Sequence, residues 1–193
     1  MEAIVYTSNT GTTKEYAELL GSKLSIPVYS LNEAKTNLKA DSEIIYLGWI
    51  MASSIKGYKK AIKNYNICAV GAVGMGATGT QIKEVRTRNN IPADTPVFTL
   101  QGGFDINKLH GIYKFMMKIM MKTAGKGLSD KQDRTSEEDQ MLDMILHGGN
   151  YVSEENLKEI LNWYENWNIW LRKYKKEYLL SSMQQYLYCK ELF

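Results

Sequence analysis

The chain is short of the residues that build metal and disulfide sites. Its 193 residues include only two cysteines and two histidines. Cys68 and Cys189 stand far apart, and Cys68 lies in the apolar run Ile67-Cys68-Ala69-Val70, where a free buried thiol of a reducing compartment is expected rather than a disulfide. His110 and His147 are solitary, so no His, Cys or carboxylate cluster has ligand spacing, and no metal is expected. No Ser, His and Asp set offers a nucleophile with its base. There is no apolar run of about eighteen residues that could make a membrane-spanning helix. The sequence enters a strand without a basic-then-apolar leader, which makes the cytoplasm the expected compartment.

What is present suits one domain of ordinary size with an appendage: 44% hydrophobic and 23% charged residues are enough for a core and too apolar for disorder. The formal charge of +3 is modest, but its distribution is uneven. Lys56, Lys59, Lys60 and Lys63 fall on one predicted helix, and Lys108, Lys114, Lys118, Lys122 and Lys126 on another. Such faces suit an anionic ligand or an anionic membrane surface, and a plainly solvated face is the alternative. Nucleic acid is not an expected partner.

Strands and helices alternate. Ala3 to Thr7 reads as a strand, Lys14 to Leu24 as a helix with Tyr16, Leu19, Leu20 and Leu24 on one face, and Val28 to Leu31 as a second strand. Ile44 to Leu47 is continuously apolar, as a parallel strand covered on both faces should be. A helix at about 55–64, a strand at Ile67 to Val70, a helix at Gln81 to Asn89 and a strand at Val97 to Leu100 complete the pattern. The expected fold is α/β, a doubly wound five-stranded parallel sheet of order 2-1-3-4-5 with a C-terminal helical extension. Its ligand edge gathers the loops after the first, third and fourth strands.

The first of those loops is Thr7-Ser8-Asn9-Thr10-Gly11-Thr12-Thr13. Its hydroxyls, turn N–H groups and following helix N-terminus suit a phosphate without a lysine in the loop, and self-capping of the helix is the alternative. Read as S-x-T-G-x-T, it resembles the FMN-phosphate loop of flavodoxins. By that resemblance the fold is flavodoxin-like, and Ser8, Asn9, Thr10, Gly11, Thr12 and Thr13 hold the ribityl phosphate of FMN. In the loop Gly48-Trp49-Ile50-Met51-Ala52-Ser53-Ser54, Trp49 is suited to stack on an isoalloxazine or to cover the sheet end, with Ile50 and Met51 beside it. Gly48 would let the backbone approach the flavin. The third loop carries a formal G-x-G-x-x-G at Gly74, Gly76 and Gly79. A nicotinamide-dinucleotide reading expects an acidic residue at the end of the next strand, and Leu100-Gln101 stands there instead. Gly74, Met75 and Gly76 are therefore assigned to the flavin's pyrimidine edge.

After the fifth strand, Gln101-Gly102-Gly103-Phe104-Asp105 leads into a basic, Met-rich amphipathic helix from Lys108 to Lys122. Its lysines at 114, 118 and 122 share one face, with Tyr113, Met116, Met117, Met120 and Met121 spread over the other side. A core helix with a lysine stripe is the alternative. The glycine turn, this helix and Thr123-Ala124-Gly125-Lys126-Gly127 resemble the insert of the flavodoxin-like, quinone-dependent protoporphyrinogen dehydrogenases. The resemblance implies that FMN passes electrons from a porphyrinogen to a membrane quinone, with peripheral contact at the inner face of the membrane. The resemblance covers roughly residues 1–145, and with the break at Gly148-Gly149-Asn150 the chain reads as a flavodoxin-like domain at 1–147, with a helical insert at about 105–135, and an aromatic-rich extension at 148–193. Thr135 and Glu138 form a capping-box pattern for a helix to about His147, and Ser153 caps a further helix carrying Trp163, Tyr164, Trp167 and Trp170. These aromatics are expected to cover a surface of the domain, of a second copy in a homodimer, or of a partner. The expected function is an FMN-dependent oxidoreductase with a redox partner protein or quinone. A non-enzymatic electron carrier and a flavin-free interaction module are the alternatives.

Overall fold

The computed structural model describes residues 1–104, 111–170 and 173. Lys108, His110, Leu171 and Cys189 lie outside them, as do the side chains of Tyr113, Met117 and Met120. The chain forms two units, Met1–Leu157 and Lys158–Phe193.

The first unit opens with β1 (Ala3–Thr7), α1 (Thr12–Leu24), β2 (Val28–Ser30), α2 (Leu31–Asn37), β3 (Glu43–Met51), β4 (Ser54–Ile55) and α3 (Tyr58–Ala61). It continues through β5 (Asn66–Gly74), α4 (Ile82–Asn89), β6 (Val97–Gln101) and β7 (Gly103–Phe104). Next come α5 (Gly111–Met120), a π-helical turn (Met121–Gly125), α6 (Lys126–Asp130), α7 (Ser136–His147) and β8 (Gly149–Asn150). The main sheet runs β2-β1-β3-β5-β6 with every neighbour parallel. This is the doubly wound, flavodoxin-like order expected from the sequence, and β4 takes an extra number because it pairs antiparallel with the end of β3. β7 and β8 make a separate two-stranded ribbon.

The central strands are apolar on both faces because helices cover both. Ala3, Ile4, Val5, Ile44, Ile45, Tyr46, Leu47, Ala69, Val70 and Ala72 are fully buried. Burying each large aliphatic side chain here contributes about 1.5–3 kcal/mol. Cys68 is partly exposed rather than buried. Ile44 pairs with Ile67 and Ile45 with Ala69, which leaves Cys68 as the extra residue of a β-bulge. Partial burial still pushes its thiol pKa up to about 11.

Two local expectations change. The helix expected at about 55–64 contracts to α3, because Ile55 is drawn into β4 and Gly57, at φ 83°, turns the chain before the helix begins. Between β2 and β3 the chain folds α2, which the sequence reading passed over. Its signal is Ser30-x-x-Glu33, and both halves of that capping box form.

The first unit continues past His147 to Leu157 because Tyr16 of α1 binds the returning chain. Its hydroxyl donates to the Gln101 carbonyl at 2.5 Å and receives a bond from Asn156 Nδ2 at 2.7 Å. The capping box of α7 forms between Thr135 and Glu138, and Asn156 N donates to Ser153 Oγ at 3.4 Å. In the second unit residues 158–170 are helical, with the rings of Trp163, Tyr164 and Trp167 tilted at 30–60° to one another, centroids 6.1–6.4 Å apart. Among the described residues no helix is long and apolar enough to cross a membrane.

Candidate functional site

At the C-terminal edge of the sheet, β1 hands the chain to α1 through Ser8–Gly11. Gly11 has φ 109°, a left-handed conformation that suits glycine, and its N–H donates to Ser8 Oγ at 3.2 Å. No side chain caps α1. No hydroxyl of this stretch is spent on a side-chain cap of α1, although Ser8 accepts from the N-cap Gly11, and the first N–H groups of the helix keep their capacity for an anion. Thr13 Oγ1 is buried and, among the described residues, has no hydrogen-bond partner. A buried hydroxyl left this way costs about 1–3 kcal/mol.

This corner opens into a cleft of about 940 Å³. Ser8, Asn9, Gly11 and Lys14 line it from the β1–α1 side, Ser30, Asn32 and Lys35 from the end of β2 and α2, and Trp49, Lys56, Gly57, Lys59 and Lys60 from β3 to α3. Its wall contains five lysines and no carboxylate. The Lys56 ammonium sits 5.7 Å from the centroid of the Trp49 ring, a cation–π contact between two residues of the lining.

One wall is fixed by a buried polar knot. Tyr46 Oη donates to the Lys56 carbonyl oxygen at 2.6 Å and lies within hydrogen-bond reach of Thr7 Oγ1 at 2.8 Å. Burial pushes the Tyr46 pKa well above the usual phenolic value, against the smaller opposing effect of the Thr7 bond, so the hydroxyl stays a donor. Gly57 packs over this pair.

The loop expected from Gly48 to Ser54 is a β-hairpin. β3 continues to Met51, which pairs with Ser54 across Ala52 and Ser53. Both of those residues have positive φ, 49° and 59°, the signature of a type I′ turn. Asn89 at the end of α4 holds the hairpin. Its Oδ1 accepts from Ile55 N at 2.8 Å, and its Nδ2 donates to the Ser53 and Val85 carbonyls, each at 2.7 Å.

A second cavity of about 340 Å³ contains Ile50, Met51, Gly74, Met75 and Gly76, with Leu100 and Ile145 also in its lining. The sequence-derived candidates thus divide: Ser8, Asn9, Gly11 and Trp49 face the large cleft, and Ile50, Met51, Gly74, Met75 and Gly76 face the smaller cavity. Thr10, Thr12, Thr13 and Gly48 line neither. Thr12 Oγ1 comes within 3.2 Å of where a Cβ on Gly102 would stand. Gly48 sits inside the ladder between Thr7 and Ala72, and a Cβ there would meet Ile55 Cγ2 at 2.4 Å and the Lys56 carbonyl at 2.8 Å. Packing by the hairpin explains that glycine. The glycine loop after β5 folds onto the β6 edge, where Gly79 N donates to the Thr99 carbonyl at 3.1 Å and Gln101 N to Thr78 Oγ1 at 3.0 Å.

The sequence reading missed Lys14, Ser30, Asn32 and Lys35 in the cleft, and Asn89 behind the hairpin. The lysines of 56–60 were visible as a cluster, but joining them to Lys14 and Lys35 depends on α2. Among the described residues no group of His, Cys, Asp and Glu could hold a metal ion. No family model, curated protein or solved structure matches this chain.

Proposed function

We propose that the chain is an FMN-binding oxidoreductase of the flavodoxin-like kind, with a protoporphyrinogen dehydrogenase-like activity and a quinone acceptor. The observation that carries the cofactor assignment is the uncapped N-terminus of α1, opening with Ser8, Asn9, Gly11 and Lys14 into a cleft that also presents an indole. These residues fit a ribityl phosphate and a flat ring: hydroxyls, N–H groups and an ammonium for the first, the Trp49 face for the second. FMN held there would supply one- or two-electron transfer. The chain's part is to bind the phosphate, orient the ring and fix the hairpin beside it.

Ser8→Ala tests the assignment at a hydroxyl that lines the cleft. FMN affinity is expected to fall about tenfold, the loss of one hydrogen bond to a charged acceptor. Unchanged FMN affinity would remove Ser8 from the site.

Contact with a membrane quinone is supported by α5. Ile112, Phe115, Met116 and Ile119 form an exposed i, i+3, i+4, i+7 stripe, with Phe115 62% exposed, and Lys118 and Lys122 are also exposed. The full chain is expected to co-sediment with vesicles rich in anionic lipid, and Phe115→Glu to weaken this at least about fivefold. Equal sedimentation of the variant would separate α5 from any membrane role.

A further inference from the structure

The large cleft carries more positive charge than a single phosphate monoester needs. Five lysines line it, and among the described residues only Lys14 has an ion-pair partner, Glu18 at 3.5 Å. Lys35, Lys59 and Lys60 stand on α2 and α3, apart from the loop that opens α1. A phosphate monoester on that loop brings a charge of about −2 at most, which leaves the charge of roughly three ammonium groups in the same cleft uncompensated. Like charges so arranged repel, and an anion between them turns that repulsion into attraction.

We propose that the α2–α3 side of this cleft is a second anion subsite, and that it takes the linked phosphates of a nucleotide. Three features select this class. The lysines come from separate elements along the cleft, so they match charge spread along a chain of phosphates rather than a single point. Ammonium groups accept phosphates in varied directions, whereas a bidentate carboxylate favours arginine. Ser30 and Asn32 add neutral hydrogen-bonding groups, and Tyr6 adds an aromatic surface for a base. A concave cleft of this size suits a small molecule better than the flat face of an acidic protein. The proposal shares with the flavin reading the premise that the cleft binds anions, but does not require the bound monophosphate to be a flavin.

The test is titration of the full chain with AMP, ADP, ATP and inorganic pyrophosphate at low and high salt, with and without saturating FMN. Affinity is expected to rise about threefold to tenfold with each added phosphate and to fall with salt. Lys35→Glu combined with Lys60→Glu is expected to weaken ATP and pyrophosphate at least about tenfold while FMN binding is kept within about twofold. Lys83→Glu, on α4 outside the cleft, serves as the control for net charge. Affinity independent of phosphate number, or an equal loss in the Lys83→Glu control, would overturn the subsite. So would full displacement of ATP by FMN, because the two anions would then share one position. Lysine-dependent ATP binding in a chain that never binds FMN would leave this subsite standing and remove the flavin reading.

Discussion

Gly57→Ala is expected to destabilise the chain by about 3 kcal/mol, combining left-handed strain of about 1–2 kcal/mol with the loss of a buried hydrogen bond. A Cβ at this position would stand 2.1 Å from Tyr46 Oη and 2.3 Å from Thr7 Oγ1, and the backbone is held at φ 83°. The substitution therefore strains the turn and splits the buried hydroxyl knot together. Because domains of this kind are stable by about 5–15 kcal/mol, the loss is a large fraction of the total. Chemical denaturation measures it, and the double variant with Tyr46→Phe separates the two causes. Removing the Tyr46 hydroxyl relieves its clash but not the strain, so the double variant should be less destabilised than the sum of the singles. A melting temperature equal to wild type for Gly57→Ala would refute the packing described for this wall of the cleft.

The second large effect is at Asn89. Asn89→Ala removes three buried hydrogen bonds, leaving the Ile55 N–H and the Ser53 carbonyl without the amide that paired them. The expected cost is about 2–4 kcal/mol, since unsatisfied buried groups are dearer than the bonds themselves are strong. There is a further reason for the size of the effect. A two-residue type I′ turn favours Asn-Gly, and this chain places Ala52-Ser53 there, at a conformational cost of about 1 kcal/mol or more per residue. Asn89 offsets that cost from across the hairpin. Changing Ala52→Asn and Ser53→Gly in the Asn89→Ala background should consequently restore about 1–2 kcal/mol. If the turn pair restores nothing, strain in the hairpin is not what Asn89 opposes. Both cavities are affected, because the hairpin carries Trp49 on one side and Ile50 and Met51 on the other.

These two positions show where sequence reading stops. β1, α1, β3, β5, α4 and β6 were legible because each is a continuous apolar run or a helical stripe of adequate length, and their alternation dictates a parallel sheet. α7 was legible from its capping box. α2 carried the same signal at Ser30 and Glu33 but has one buried residue, Ala34, and so almost no apolar period to notice. The hairpin was hidden for a different reason: Ala-Ser is a poor type I′ pair, and the tertiary bond that stabilises it comes from a residue thirty-odd positions further on. Asn89 itself reads locally as a polar helix end.

The candidate site follows the same division. The hydroxyl-rich turn before α1 is a local pattern, readable from six residues in a row. The lysine wall is not local, since Lys14, Lys35, Lys56 and Lys60 belong to three different connections of the sheet and meet only because β2 and β3 flank β1. The residues assigned to one flavin ring divide at β3, which gives Trp49 to the cleft and Ile50 and Met51 to the smaller cavity with Gly74–Gly76.

Whether the opening of α1 grips a phosphate joined to a flavin is read from a paired titration of the full chain with FMN and with riboflavin, followed by flavin fluorescence. Saturable one-to-one binding of FMN is expected, with riboflavin weaker by at least about a hundredfold, because it lacks the charged phosphate that the α1 terminus favours. Equal binding of the two flavins, or binding of neither, would contradict it.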